Sequence, residues 1–253
     1  MARGILLDIA GLLHDGGTPI PGAAEAVARL RAAGLPVRFL TNTTSKPKRA
    51  VLEQIAALGI DVEPEDVFTP AQAARDRLIA EGRAPHLLIH PDLAEDFEGW
   101  PEDGPKTVVV GDAGRYFTYE ALNAAFRVLA EGAPFLALAA NRVFRDGDGA
   151  LSMDAGAFVK ALEYASGTEA VVLGKPAPAF FAAAAESMGC ALDDTAMIGD
   201  DAEADVAGAL RAGVGTAVLV RTGKFAEGDE TAHEPAPSQV ADDLAAAVDW
   251  LLE

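Results

Sequence analysis

Short apolar runs, each ending in a polar residue and each followed by an amphipathic stretch, set the pattern of this chain. Ile5-Leu6-Leu7 runs into Asp8, Val37-Arg38-Phe39-Leu40 into Thr41-Asn42, Val171-Val172-Leu173 into Gly174-Lys175-Pro176, and Ala196-Met197-Ile198 into Gly199-Asp200-Asp201. Apolar runs without alternation suit strands buried on both faces of a parallel sheet. The spacing predicts helices between them. One covers 23–33, with Val27 and Leu30 on one face and Gly34 as its stop; a second runs from Pro47 to Leu58-Gly59, and a third covers 71–80 after a short strand at 67–69. Strand alternating with helix implies a parallel sheet with helices on its faces.

A second alternation occupies 84–169: strands at 86–89, 107–111 and 135–140, helices at 119–131 and 157–165. It contains none of the polar strand ends named above and is expected to be an inserted α/β cap, with Gly82 and Ser166-Gly167 as hinge neighbourhoods. The first pattern resumes at Val171, with helices at 178–188 and 202–212, a strand at 216–220 and a last helix at 241–252; 224–238, rich in Pro, Glu and Gly, reads as an exposed loop. The expected fold is therefore α/β: a doubly wound, Rossmann-like parallel-sheet core from 1–83 and 170–253, interrupted by an α/β cap over 84–169.

Composition narrows the class. Half of the 253 residues are hydrophobic, yet no apolar run approaches the roughly 20 residues of a membrane helix, and the N-terminus enters a strand directly, so a soluble cytoplasmic protein is expected. The single cysteine, Cys190, has no internal partner, and no Cys/His cluster has zinc-like spacing. A formal charge of −19 repels nucleic acid and anionic membrane surfaces, so an anionic substrate would have to be drawn in by a local positive field.

Ligands of open α/β sheets bind beyond the carboxyl ends of the strands, where Asp8, Thr41, Lys175 and Asp200 stand. With Asp205 five residues after Asp200, carboxylate, hydroxyl, ammonium and carboxylate pair form one phosphoryl-transfer set. In order and spacing these residues resemble the four motifs of the haloacid dehalogenase superfamily of phosphohydrolases, capped subfamily IIA. Leu7-Asp8-Ile9-Ala10-Gly11, Arg38-Phe39-Leu40-Thr41-Asn42, Ala161-Leu162-Glu163-Tyr164-Ala165, Gly174-Lys175-Pro176, Met197-Ile198-Gly199-Asp200-Asp201 and Arg221-Thr222-Gly223-Lys224 look like its branch of phospholysine phosphohistidine inorganic pyrophosphate phosphatases. The resemblance implies a cap closing over the site, and a homodimer formed through that cap.

It also implies roles. Asp8 would be a nucleophile forming an aspartyl-phosphate, which a carboxylate can do only if a cation cancels its repulsion from the substrate; Mg²⁺ is expected, held by Asp8, the Ala10 carbonyl and Asp200. Thr41, Asn42 and Lys175 would bind the transferring phosphoryl group, and Asp205 would orient Lys175. Asp201 is either an outer support of the metal or a helix N-cap. Ala10 departs from the superfamily, which has an Asp there as general acid. Such catalysis is worth about 10²–10⁴-fold, so the expected substrates are small phosphate compounds with good leaving groups, pyrophosphate or phosphoramidates. His14 either replaces the missing acid or is a solvent-facing loop residue. Arg142 and Arg145, beside the turn Asp146-Gly147-Asp148-Gly149, either grip a second phosphate or are ordinary surface arginines. Two rival readings stand beside this one: a phosphonate-cleaving relative using Lys106 or Lys160 for a Schiff base, and a non-catalytic phosphate- or partner-binding protein.

Overall fold

Ile5, Leu6 and Leu7 are all fully buried because their strand has partners on both sides and cover on both faces. The computed structural model describes residues 2–100, 103–145 and 150–253, without the Arg145 side chain; the expected turn at Asp146-Gly149 lies outside the described residues. In chain order the elements are β1 (Gly4–Asp8), the hairpin β2 (His14–Asp15) and β3 (Thr18–Pro19), α1 (Ala23–Ala32), β4 (Val37–Leu40), α2 (Lys48–Ala57) and β5 (Val67–Phe68). Then come α3 (Pro70–Glu81), β6 (Ala84–Leu88), β7 (Lys106–Val110), α4 (Tyr119–Ala130), β8 (Phe135–Ala137), the hairpin β9 (Val143–Arg145) and β10 (Leu151–Met153), α5 (Ala155–Ser166) and β11 (Val171–Val172). The chain ends with α6 (Pro178–Ser187), β12 (Thr195–Gly199), a π-helical stretch Ala202–Ala207 running into α7 (Gly208–Ala212), β13 (Thr216–Val220), α8 (Asp229–Ala232), β14 (Gln239–Ala241) and α9 (Leu244–Leu252).

Two compact units result, one of Met1–Thr41, Arg49–Phe68 and Lys175–Glu253, the other of Asn42–Lys48 and Thr69–Gly174. In the first, six parallel strands lie in the order β14-β13-β12-β1-β4-β5, so the chain proceeds from β1 towards one edge and later returns to β1's other side through β12. Its core packs Ile5, Leu7, Phe39, Ile198 and Val218 against Val27 and Leu30 of α1, Ile55 of α2 and Val248 of α9.

The second unit has its own parallel sheet, β11-β8-β7-β6. Period-two alternation sorts its side chains: Val108, Val110, Phe135 and Ala137 pack with α4 and α5, whereas Val109, Leu136 and Leu138 pack with Ala71, Ala74 and Leu78 of α3. That second face explains why α3, placed in the core by its position before residue 84, belongs to the second unit. The core does not resume at Val171 either: Val171 and Val172 pair with Leu136 and Ala137 as the edge of the second sheet. Three local expectations also change. The 202–212 helix begins as π rather than α, Ala241, expected to open the last helix, instead ends the edge strand β14, and α9 starts only at Leu244, where Asp243 accepts the Ala246 N–H as its cap. Among the described residues no helix is long and apolar enough to cross a membrane.

Candidate active site

Asp8 closes β1 and Asp200 directly follows β12, and these two strands pair side by side with Leu7 opposite Ile198. The carboxylates thus leave neighbouring strands at the point where the strand order reverses, the ligand-binding position of open parallel sheets. Asp205 joins them from the π-helical stretch. A Cβ on Gly199 would stand 2.2 Å from Asp205 Oδ2, so only glycine there lets this carboxylate fold back onto the strand end. Asp8, Asp200 and Asp205 are buried, and one oxygen of each lies within 4.8 Å of the others.

Lys175 is buried in the same cluster. Its Nζ donates to Asp8 Oδ1, lies 2.7 Å from Asp205 Oδ1 and reaches the Leu40 carbonyl at 3.4 Å, tying together the ends of β1 and β4 and the Ala202–Ala207 stretch. Burial disfavours its charge, but Asp205 and Asp8 override that and raise its pKa above the ordinary lysine range. The carboxyls answer in the other direction. Burial, then the Asp8 charge, pushes Asp200 up to about 7; burial pushes Asp205 up to about 8, with Lys175 pulling against it and Asp8, Asp201 and Asp200 adding to it. Between Lys175 and Asp205 the ammonium is the settled charge, since two carboxylates touch it. Three buried carboxyls share one ammonium and cannot all ionise without further positive charge, and Asp200 Oδ1 is buried without a hydrogen-bond partner. A set of hard oxygen donors short of positive charge suits a divalent cation such as Mg²⁺.

The other expected residues fall as follows. Thr41 is buried just beyond β4, one residue past Leu40, the partner of Asp8 in the sheet, and its N–H donates to the Phe68 carbonyl. Asn42 begins the second unit, where a Cβ on Gly174 would lie 2.5 Å from its Oδ1. Ala10 is exposed and bridges to His14. Asp201 is a helix N-cap: Oδ1 accepts the Glu203 and Ala204 N–H groups, while Oδ2 pairs with Lys224 at 3.1 Å. His14 is not a solvent-facing loop residue. It is buried, with Nδ1 accepting the Gly17 N–H at 3.4 Å and Nε2 lying 2.8 Å from Gln54 Nε2 of α2. Arg142 is exposed. Of the two lysines a Schiff base would need, Lys106 opens β7 and Lys160 lies on the surface of α5 paired with Glu163, which raises its pKa and so opposes the neutral amine.

The Arg221–Lys224 turn contributes more than its sequence suggested. The Lys224 N–H donates to Asp200 Oδ2 at 2.7 Å and the Thr222 hydroxyl donates to the Gly11 carbonyl. The likeness of Arg221-Thr222-Gly223-Lys224 to the resembled branch, and its position directly after β13, were the available signals.

Residues 5–100 match the family model of haloacid dehalogenase-like hydrolases, and residues 172–247 match a second model, of HAD-hydrolase-like proteins. The human phospholysine phosphohistidine inorganic pyrophosphate phosphatase is 43% identical over 257 residues, covering 99% of this chain and 94% of that protein. The p-nitrophenyl phosphatase of Archaeoglobus fulgidus superposes with a TM-score of 0.88 at 26% identity, covering 98% of this chain and 99% of that one. The glycerol phosphate phosphatase of Mycobacterium tuberculosis, solved in complex with magnesium, superposes with a TM-score of 0.82 at 26% identity, covering 97% and 76%.

Proposed function

Because the chain belongs to the haloacid dehalogenase-like hydrolases, an enzyme of their phosphatase kind, we propose that it is a Mg²⁺-dependent phosphohydrolase working through an aspartyl-phosphate on Asp8. The observation that carries this reading is the buried cluster at the carboxyl ends of β1 and β12, with Lys175 bridging Asp8 and Asp205. A binding protein has no use for a nucleophile fixed in this way.

Asp8, Asp200 and the Ala10 carbonyl would hold the metal, which when bound supplies the positive charge that lets one anion approach another. A carboxylate oxygen of Asp8 attacks phosphorus; the new O–P bond forms as the bond to the leaving group breaks, and the leaving group departs with its electron pair. Water then attacks the acyl phosphate, releasing inorganic phosphate and regenerating the carboxylate. Lys175, kept charged by Asp8 and Asp205, is placed to take the negative charge of the transferring oxygens, and Thr41 and Asn42 are assigned to the same group as hydrogen-bond donors. Asp205 fixes the lysine.

Ala10 determines the substrate class. With no carboxyl at this position to protonate an alkoxide, leaving groups that depart unaided are favoured: the second phosphate of pyrophosphate, or the nitrogen of a phosphoramidate, which can already carry a proton. His14 does not fill the gap, since its ring is engaged with Gly17 and Gln54. The name of the human relative points to the same compounds.

Phosphate release with Mg²⁺ from pyrophosphate, imidodiphosphate, an aryl phosphate and a sugar phosphate, each beside Asp8→Asn, tests the proposal. Turnover of the first two, weak turnover of the sugar phosphate and loss of activity in the variant are expected. A variant as active as the parent would eliminate the phosphoenzyme.

A further inference from the structure

The two oxygens of Asp200 have different surroundings. Oδ2 accepts the Lys224 N–H at 2.7 Å and is wedged between two glycine backbones: a Cβ built on Gly11 would stand 1.9 Å from it, and one on Gly223 2.0 Å. Both glycines hold positive φ, +85° and +60°, so any L-residue at either position meets backbone strain as well as collision. The glycines also meet each other, since the Gly223 Cβ would lie 2.4 Å from Gly11 Cα. The Thr222 hydroxyl, donating to the Gly11 carbonyl, fastens the turn after β13 to the loop after β1. Oδ1 of the same carboxylate has no hydrogen-bond partner in its buried position.

We propose that the Thr222-Gly223-Lys224 turn is a positioning device for Asp200: it commits Oδ2 to the protein and thereby presents Oδ1 to the cation. The inference rests on the reading of Asp200 as a metal ligand and adds three residues that lie outside the four phosphoryl-transfer motifs. Each contributes differently. Gly223 gives the close approach, the Lys224 backbone supplies the donor, and Thr222 locks the turn against Gly11. The Lys224 side chain reaches the next residue, pairing with Asp201 Oδ2 at 3.1 Å, so the same turn steadies the helix cap that follows the ligand. Outer groups that orient a metal ligand are typically worth about 10–100-fold in metal affinity, and Thr222 acts through the Gly11 backbone, so the low end applies.

Thr222→Val keeps the side chain's shape and removes the hydroxyl, and Thr222→Ser restores the donor. Calorimetric titration of the metal-free full chain with Mg²⁺ alone, with no substrate present, is the assay, accompanied by thermal unfolding of each metal-free form. The expected result is a dissociation constant raised about tenfold in the Val variant and returned to near the parent value in the Ser variant, with metal-free unfolding temperatures close to one another. A purely structural threonine would shift the unfolding temperature and leave affinity in place. A Val variant that binds Mg²⁺ within about threefold of the parent, or a Ser variant that fails to restore binding, overturns the positioning role. A parent that does not bind Mg²⁺ takes down the metal reading of Asp200 itself, a separate and recognisable failure.

Discussion

Asp200→Asn removes a charge that the folded chain, without a cation, holds at a disadvantage. Burial and the Asp8 charge push this carboxyl from 3.8 up to about 7. At about 1.4 kcal/mol per pH unit, ionising it in the metal-free fold costs about 4 kcal/mol relative to the unfolded chain. The folded-state pKa is the higher one, so this stability is fully present below about pH 4 and is lost as pH rises through about 7. Thermal unfolding in chelator, followed from about pH 5 to about pH 8, should therefore show the parent losing stability that Asp200→Asn keeps. The gap should approach roughly 10 °C for a chain of this length. Asp205, pushed up in the same direction, remains in both proteins, and because the Asp200 charge is the smallest of the causes acting on it, it adds little to the difference. Adding Mg²⁺ at the upper end should raise the parent and leave the variant nearly unmoved, because a ligand stabilises only the state that binds it. Parent and variant curves that stay parallel across this range would refute the electrostatic account of the site.

Two further outcomes follow from side chains already described. Ala10→Asp restores the missing general acid at an exposed position, and turnover of a sugar phosphate should rise by about 10²-fold or more; an unchanged rate would show that leaving-group protonation does not limit this enzyme. Gly199→Ala places a Cβ 2.2 Å from Asp205 Oδ2, so overpacking of about 1–3 kcal/mol should appear in urea unfolding, together with a loss of phosphate release as Asp205 leaves Lys175. Parent-like stability and turnover would sink that explanation.

The strands were legible because a parallel strand buried on both faces must be apolar throughout, and the polar residue that ends such a run marks the strand's carboxyl end. Asp8, Thr41 and Asp200 were found in this way. What stayed hidden depended on partners distant in sequence. The apolar residues of α3 do not name the sheet they cover, and the packing of Ala74 and Leu78 with Val109 and Leu136 assigns it. Nothing in the 202–212 spacing separates a π turn from an α turn. His14 was open to two readings because its partner, Gln54, lies forty residues away. The Arg221–Lys224 turn was visible as a likeness to relatives but without a role; its weight comes from the approach of Gly223 to Gly11 across the strand ends.

Pairing β1 with β12 has a consequence for biosynthesis. The strand that carries Asp8 finds its β4 neighbour early, but its other edge is filled by Thr195–Gly199, on the order of 190 residues later. At translation rates of about 5–20 residues per second, that edge waits roughly 10–40 s on the ribosome. Through that interval Ile5, Leu6 and Leu7 present an apolar strand with one edge unpaired, and the nascent chain is most exposed to aggregation and to chaperone capture before Asp200 has been made.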